Sequence, residues 1–149
     1  MKSRFDAGIP PKLKNLVRDS IQRHAWNIGV SHFQGDVLYA KHPKDSDHCS
    51  SVCHADTGTD RRYLRATFTF YPVFVERWRR EGAAYVERVV AHEVAHLATQ
   101  HFYDVATARY CDDGEMKDAW EACTEVIGRL SCKLDEQLQE RAARHASRS

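Results

Sequence analysis

The sequence lacks the features that mark membrane, secreted and nucleic-acid-binding proteins. No segment approaches the roughly 18 consecutive apolar residues of a membrane-spanning helix. The N-terminal segment MKSRFDAGIPPKLKN has no apolar stretch of the kind found in a secretory signal. The formal net charge of +1 leaves no basic excess for nucleic acid or an anionic membrane surface. These absences predict a cytoplasmic protein that binds neither nucleic acid nor a membrane.

A disulfide framework is also missing. The five cysteines are an odd number without regular spacing, so we expect free thiols. Apolar residues make up 42% of the chain and charged residues 29%, which is ordinary for a globular protein. The length of 149 residues suits one domain with its own core. We predict a single domain over residues 1–149, with flexible ends at residues 1–9 and 145–149.

Hydrophobic periodicity predicts an α+β fold. Helical spacing of apolar residues indicates helices over Pro11–Trp26, Pro72–Glu81, about Ala83–His101 and about Met116–Arg144. Strict alternation predicts a strand at Leu64–Phe70, and shorter apolar patterns predict strands at Ile28–Val30 and Val37–Tyr39. The polar segments 42–62 and 103–115 are predicted to be a long loop and an irregular connection.

The motif His92-Glu93-Val94-Ala95-His96 lies within the predicted apolar helix Ala83–His101. Residues four apart lie on one helix face, so both imidazoles can reach a single ion. Glu93 is rotated by about 100° from His92, so it can reach a water on that ion without ligating the ion. Chance gives about 0.03 such motifs in a chain of this composition. The motif is therefore a specific signal for zinc, with Glu93 as general base.

A third protein ligand is expected, because two histidines alone make a weak zinc site. The last predicted helix carries Glu121 and Glu125 one turn apart. Its apolar seam, expected to face the core, is Trp120, Cys123, Ile127, Leu130, Leu134 and Leu138. A carboxylate on that side needs a charged partner such as Zn²⁺. We predict Glu121 as the ligand and Glu125 as the acceptor that orients a ligand imidazole; the reverse assignment and two solvated glutamates are the alternatives.

The HEVAH helix followed by a helix with Glu121 and Glu125 resembles the gluzincin division of the zincin metallopeptidases. In that family a glutamate of the following helix completes the zinc site, and Glu125 takes the place of a usual aspartate. The resemblance covers roughly Leu64–Leu134, and the compact size is similar to minimal zincins of bacteria and phages. It implies a single zincin-like domain: a small antiparallel or mixed sheet packed on the central HExxH helix and a long C-terminal helix. One zinc ion per chain is expected.

The resemblance also implies a group that stabilises the oxyanion of the tetrahedral intermediate. Histidine and tyrosine often have this role in gluzincins, and the candidates between the two ligand helices are His101, Tyr103, Arg109 and Tyr110. Core packing or surface exposure is the alternative for each. A second metal site is conceivable in the segment that holds His48, Cys49, Cys53 and His54. Because C-x₃-C has no second ligand pair, a loop that borders the cleft is the preferred interpretation.

These patterns favour a zinc metallopeptidase that hydrolyses a peptide or protein substrate. An extended peptide is expected to pair with the edge of the Leu64–Phe70 strand. The alternative is a non-catalytic zincin-like module for binding or regulation, with a structural metal. The sequence assigns neither a particular substrate nor an oligomeric state.

Overall fold

The structure is a computed structural model that describes residues 8–43, 52–60, 63–107 and 113–147. These residues form four helices and three strands, which confirms the predicted α+β class. In chain order they are α1 (Pro11–Asn27), β1 (Gln34–Tyr39), β2 (Ala55–Asp60), β3 (Arg65–Phe70), α2 (Pro72–Glu81), α3 (Ala83–Thr107) and α4 (Asp113–Ala146). In the described part of the chain, no helix combines the length and the apolar character that a bilayer crossing requires.

The sheet is mixed and has the strand order β1-β3-β2. β1 runs parallel to β3, with Tyr39 opposite Phe70. β2 runs antiparallel to β3, with Ala55 opposite Phe70 and Asp60 opposite Arg65. The expectation that the Leu64–Phe70 strand offers an edge to a peptide is therefore wrong, because both edges of β3 are already hydrogen-bonded to neighbouring strands. The strand that lies against α3 is β2.

The core lies between the sheet and α3. Alternate residues of β3 bury Phe68 and Phe70 on one face, which is the period-two pattern of a half-buried strand. The side chains that fill the space between β3, α1, α2 and α3 are Leu13, Val17, Phe74, Val86, Val90 and Val94. α2 passes into α3 through Gly82, whose φ of 76° is a left-handed conformation that favours glycine. This turn places the HExxH segment of α3 beside β2.

Several predicted boundaries differ from the structure. Ile28–Val30 is not a strand: the Ile28 N–H donates to the carbonyl of His24 and continues the end of α1. The predicted loop over residues 42–62 contains β2, whose sequence ADTGTD has no apolar alternation and which forms by pairing with β3. α3 continues six residues beyond the predicted end at His101, to Thr107, so part of the predicted irregular segment is helical.

The predicted inward face of α4 is also wrong. The face buried against α3 and α1 carries small and polar residues, namely Thr124, Gly128, Ser131 and Asp135. Trp120 and Ile127 of the predicted seam are half-buried, whereas Cys123, Leu130, Leu134 and Leu138 are exposed. Gly128 gives the physical reason. A Cβ on Gly128 would lie 3.1 Å from the Cα and the N of His92, so α3 and α4 approach each other too closely for larger side chains at their contact.

Candidate metal centre

Three side chains from α3 and α4 converge at one point. The Oε2 atom of Glu121 lies 3.3 Å from Nε2 of His92 and 3.9 Å from Nε2 of His96. The two imidazole rings are perpendicular, with centroids 4.8 Å apart. His92 and His96 are one turn apart on α3, and Glu121 faces them because Gly128 lets α4 approach α3 closely. We refer to these three residues as the metal-candidate cluster.

Glu125 lies one turn after Glu121 and contacts the other nitrogen of the same imidazole. Nδ1 of His92 donates a hydrogen bond to Oε2 of Glu125 over 3.0 Å. The second oxygen of Glu125 accepts a 2.7 Å hydrogen bond from Nε of Arg129. A carboxylate that accepts from Nδ1 favours, in a neutral imidazole, the tautomer whose Nε2 could ligate a cation. The structure thus gives the two glutamates different positions: Glu121 between the imidazoles and Glu125 behind His92.

His96 is held by packing and by hydroxyl groups. Its ring lies against Trp120 with a centroid distance of 4.6 Å, and its Nδ1 lies 3.4 Å from the hydroxyl of Thr124. Thr124 also lies 2.8 Å from the hydroxyl of Thr99, which accepts a hydrogen bond from the indole N–H of Trp120. These contacts leave Nε2 as the nitrogen of His96 that faces Glu121.

Glu93 is buried beside the cluster but does not belong to it. Its carboxylate accepts a 2.7 Å hydrogen bond from the hydroxyl of Thr57 on β2. Burial disfavours the charged form and raises the pKa of Glu93 to about 7, although the hydrogen bond from Thr57 and the charge of His92 act in the opposite direction. Sequence reasoning missed Thr57, because it falls in the segment predicted as a loop and no motif marks it.

The pKa values of the two imidazoles are displaced in opposite directions. Burial disfavours a charged His92, but its hydrogen bonds to Glu121 and Glu125 and the nearby Glu93 outweigh burial and raise the pKa of His92 to about 9. Burial and the charge of His92 lower the pKa of His96 to about 4. The cluster therefore stabilises positive charge next to Glu121 while it keeps the second imidazole neutral, with a lone pair for a cation.

The donor atoms fit a metal ion. Among the described residues, His92, His96 and Glu121 are the one group that could hold such an ion, and their ligand atoms all lie within 4.8 Å of one another. Tetrahedral zinc with bonds of about 2.0–2.1 Å places its ligand atoms about 3.3 Å apart. The distances from Glu121 to the two imidazoles, 3.3 Å and 3.9 Å, are close to that separation.

His92 also borders a cleft of about 850 Å³, which it lines together with Glu93 and Glu125. The floor of the cleft is α3, with His92 and Glu93, and its walls are the start of β2 and the middle of α4. His54, which the sequence suggested for a second metal site, lies in the β2 wall, and its Nδ1 is 2.9 Å from the hydroxyl of Tyr85. Burial lowers the pKa of His54, so a neutral ring borders the cleft.

The remaining predicted site residues have other positions or are not described. Tyr103 stacks on Trp120 with a centroid distance of 4.5 Å, and the same indole contacts the ring of His96. Arg109, Tyr110 and the side chain of His101 lie outside the described residues. His48 and Cys49 of the proposed second metal site are also outside them, and the thiol of Cys53 donates to the carbonyl of Ala55.

A second polar cluster lies between α1, α3 and α4, about two turns from the first along α3. Nε2 of His24 donates to Glu87 over 3.1 Å, and the hydroxyl of Ser131 donates to Nδ1 of His24 over 2.7 Å. Arg23 contacts the same Glu87 over 2.6 Å and Asp135 over 3.2 Å. We call this group, completed by Ser20, the closed polar cluster. Ser131 and His24 are 2% and 1% exposed, so the serine–histidine–carboxylate chain has no access for a substrate.

Comparison with known proteins gives no match for this chain, whether to a protein-family model, to a curated protein or to a solved structure. The site is therefore interpreted from its own geometry.

Proposed function

We propose that this chain is a zinc-dependent metallopeptidase of the zincin type. One observation carries the proposal: His92, His96 and Glu121 converge, while Glu93 lines a cleft beside His92 and is hydrogen-bonded to Thr57. Two imidazole nitrogens and one carboxylate oxygen are the donor set of a catalytic zinc ion that keeps a fourth position open. The separation of Glu93 from the ligands suits a base rather than a fourth ligand.

Each residue of the site would have a separate role in peptide hydrolysis. A bound zinc ion would lower the pKa of a water molecule and polarise the scissile carbonyl. Glu93 would accept a proton from the water and later donate it to the leaving amine. Thr57 would position the carboxylate of Glu93 through the 2.7 Å hydrogen bond. Glu125 would keep His92 in the tautomer that ligates through Nε2.

The substrate would be an extended peptide that pairs with β2. β2 uses one edge to pair with β3, and residues at its start line the cleft above His92 and Glu93. Addition of a strand to such an edge satisfies the main-chain hydrogen bonds of a peptide without regard to its sequence. A peptide on β2 would run directly over Glu93, because Thr57 in the middle of this strand already contacts that residue.

The decisive experiment is the substitution Glu93→Gln. The variant is expected to bind one zinc ion per chain but to cleave a library of denatured proteins about 10²–10⁴-fold more slowly. Zinc content is measured by plasma emission spectrometry, and cleavage is measured by mass spectrometry of the new termini. Glu76→Gln, the same change at an exposed position on α2, serves as the control and is expected to leave both quantities unchanged.

Two results would contradict the proposal. Cleavage by the Glu93→Gln variant at the wild-type rate would show that Glu93 is not the general base. A wild-type chain that binds zinc tightly but produces no new termini would favour the non-catalytic module instead.

A further inference from the structure

A chain of hydrogen-bonding groups between α3 and α4 ends at Nδ1 of His96. It begins at Trp120, whose indole N–H donates to the hydroxyl oxygen of Thr99 over 2.8 Å. The oxygens of Thr99 and Thr124 lie 2.8 Å apart, and the hydroxyl of Thr124 lies 3.4 Å from Nδ1 of His96. Thr99, Thr124 and His96 are 5%, 0% and 7% exposed, so bulk water does not offer these groups other partners.

Each threonine has a single hydroxyl hydrogen, which limits the directions that these hydrogen bonds can take. Thr99 also donates to the main-chain carbonyl of Ala95 over 3.3 Å. Because that contact uses the hydrogen of Thr99, the contact between the two threonines requires the hydrogen of Thr124. Thr124 then has no hydrogen left for His96, so their contact requires a hydrogen on Nδ1 of the imidazole. All four contacts of the chain are satisfied together only when His96 carries its hydrogen on Nδ1.

The opposite nitrogen of the same ring supports this direction. Nε2 of His96 lies 3.9 Å from Oε2 of Glu121, which is beyond hydrogen-bonding distance. If Thr99 donated to Thr124 and Thr124 donated to Nδ1, the contact with Ala95 would be lost. The hydrogen of His96 would then lie on Nε2, where the carboxylate of Glu121 is too far away to accept it.

We propose that Thr99 and Thr124 are positioning residues that hold His96 in its Nδ1–H tautomer and so keep the lone pair of Nε2 available for a cation. This inference rests on the proposed zinc site. A neutral imidazole ligates a metal ion through the nitrogen that carries no hydrogen. The two ligand imidazoles thus differ in their supporting groups, because Nδ1 of His92 faces the carboxylate of Glu125 and Nδ1 of His96 faces an uncharged hydroxyl.

Nuclear magnetic resonance of the zinc-free chain with isotope-labelled histidines measures the tautomer. Long-range proton–nitrogen correlation spectra distinguish a ring nitrogen that carries a hydrogen from one that does not. At about pH 8 an imidazole with the usual pKa of about 6.5 is neutral. The His96→Asn variant identifies the signals of His96 by their loss from the spectrum. We expect a hydrogen on Nδ1 and none on Nε2; a hydrogen on Nε2 in the wild type would overturn the proposal, whether or not the variants below fold.

Thr99→Val removes the hydroxyl group but preserves the shape of the side chain. The hydrogen of Thr124 then loses its acceptor and donates to Nδ1, so we expect the hydrogen of His96 to move to Nε2 and the affinity for zinc to fall about 10–100-fold. Thr99→Ser retains a hydroxyl group and is expected to retain the wild-type tautomer and affinity. Thr67→Val, the same change at a half-buried position on β3, is the control and is expected to alter neither quantity.

Competition with a chelator measures the affinity, and circular dichroism checks that each variant is folded. A folded Thr99→Val variant with the wild-type tautomer would overturn the proposal, and so would a Thr99→Ser variant that behaves like Thr99→Val. The tautomer is measured without zinc and without a substrate, so its failure is separate from failure of the proposed function. A chain with the expected tautomer that binds no zinc would contradict the proposed function and not the hydrogen-bond directions.

Discussion

The metal-candidate cluster and the closed polar cluster both combine histidine and glutamate on α3 and α4, and the closed polar cluster also takes residues from α1. Each has a histidine whose two nitrogens both face polar side chains: His92 lies between Glu121 and Glu125, and His24 lies between Glu87 and Ser131. In the closed polar cluster, Arg23 supplies a permanent positive charge to the carboxylates. In the metal-candidate cluster, the carboxylate of Glu121 faces two imidazoles, and His92 borders a cleft.

The difference between the two clusters shows which properties let a polar cluster take a ligand. A serine, a histidine and a carboxylate in a hydrogen-bonded row resemble a hydrolytic triad, but in the closed polar cluster the donors and acceptors satisfy one another and no substrate can enter. The metal-candidate cluster has an excess of acceptors and lone pairs that a divalent cation would complete. Charge balance and access, rather than residue type, separate a structural network from a functional one.

The largest expected difference between the two clusters is that between the effects of His96→Ala and His24→Ala on zinc binding. His96→Ala removes one of three ligands and is expected to abolish stoichiometric zinc binding, because two protein ligands make a weak site. His24→Ala is expected to retain one zinc ion per chain while it lowers the free energy of unfolding, since the buried Ser131 hydroxyl loses its partner at a cost of about 1–3 kcal/mol. Zinc titration and urea unfolding measure the two effects. Loss of zinc from His24→Ala would mean that the clusters are not separate.

Acid pH is expected to destabilise the protein through Glu87. Burial opposes ionisation of this carboxyl, but hydrogen bonds from His24, Ser20 and Arg23 outweigh burial and lower its pKa from 4.5 to about 2. A depressed pKa stabilises the folded state above the unfolded value of 4.5, and this stabilisation is lost as the pH falls from 4.5 to 2. At about 1.4 kcal/mol per pH unit the loss has an upper limit of about 3.5 kcal/mol, and solvent screening of this half-buried carboxylate makes the expected loss smaller.

Urea unfolding of the wild type and of Glu87→Gln over this pH range measures the effect. The variant is expected to lack this part of the acid dependence, whereas zinc release is common to both proteins. Equal slopes for the two proteins would show that Glu87 is not the group responsible.

The smallest expected effect is that of Glu125→Gln. The variant keeps a hydrogen-bond acceptor for Nδ1 of His92 but loses the charge, and we expect a 10–100-fold weaker affinity for zinc. Competition with a chromophoric chelator measures the affinity. Glu140→Gln, at an exposed position about four turns of α4 after Glu125, is the control. Wild-type affinity in Glu125→Gln would place this residue outside the metal site.

The three residues of the metal-candidate cluster and Glu125 were predictable from the sequence because their spacing is local. HExxH fixes two imidazoles on one face of a helix, and Glu121 and Glu125 are one turn apart on another, so neither inference requires knowledge of distant contacts. The apolar residues around His92 also predict the burial of α3 correctly. The element types follow from the same periodicity, apart from β2 and the proposed strand at Ile28–Val30.

The features that the sequence did not predict, which are β2 and the buried face of α4, depend on tertiary contacts that hydrophobic periodicity does not encode. β2 is polar and contains Gly58, and only its pairing with β3 makes it a strand, so Thr57 was not recognisable. The leucines of α4 predicted the wrong inward face, because close approach at Gly128 and the hydrogen bond from Ser131 to His24 select the polar face. Where a helix has both an apolar face and a face of small residues, its sequence alone does not determine which face is buried.

Because Gly128 has no side chain, α4 packs closely against α3 at this position. A methyl group there would lie 3.1 Å from the backbone of His92, so α3 and α4 would have to separate by a few tenths of an ångström. Glu121 and Glu125 belong to the same rigid helix, so they would move away from the imidazoles together with it. Gly128 has no functional group, yet we expect Gly128→Ala to change the distances from Glu121 and Glu125 to the imidazoles.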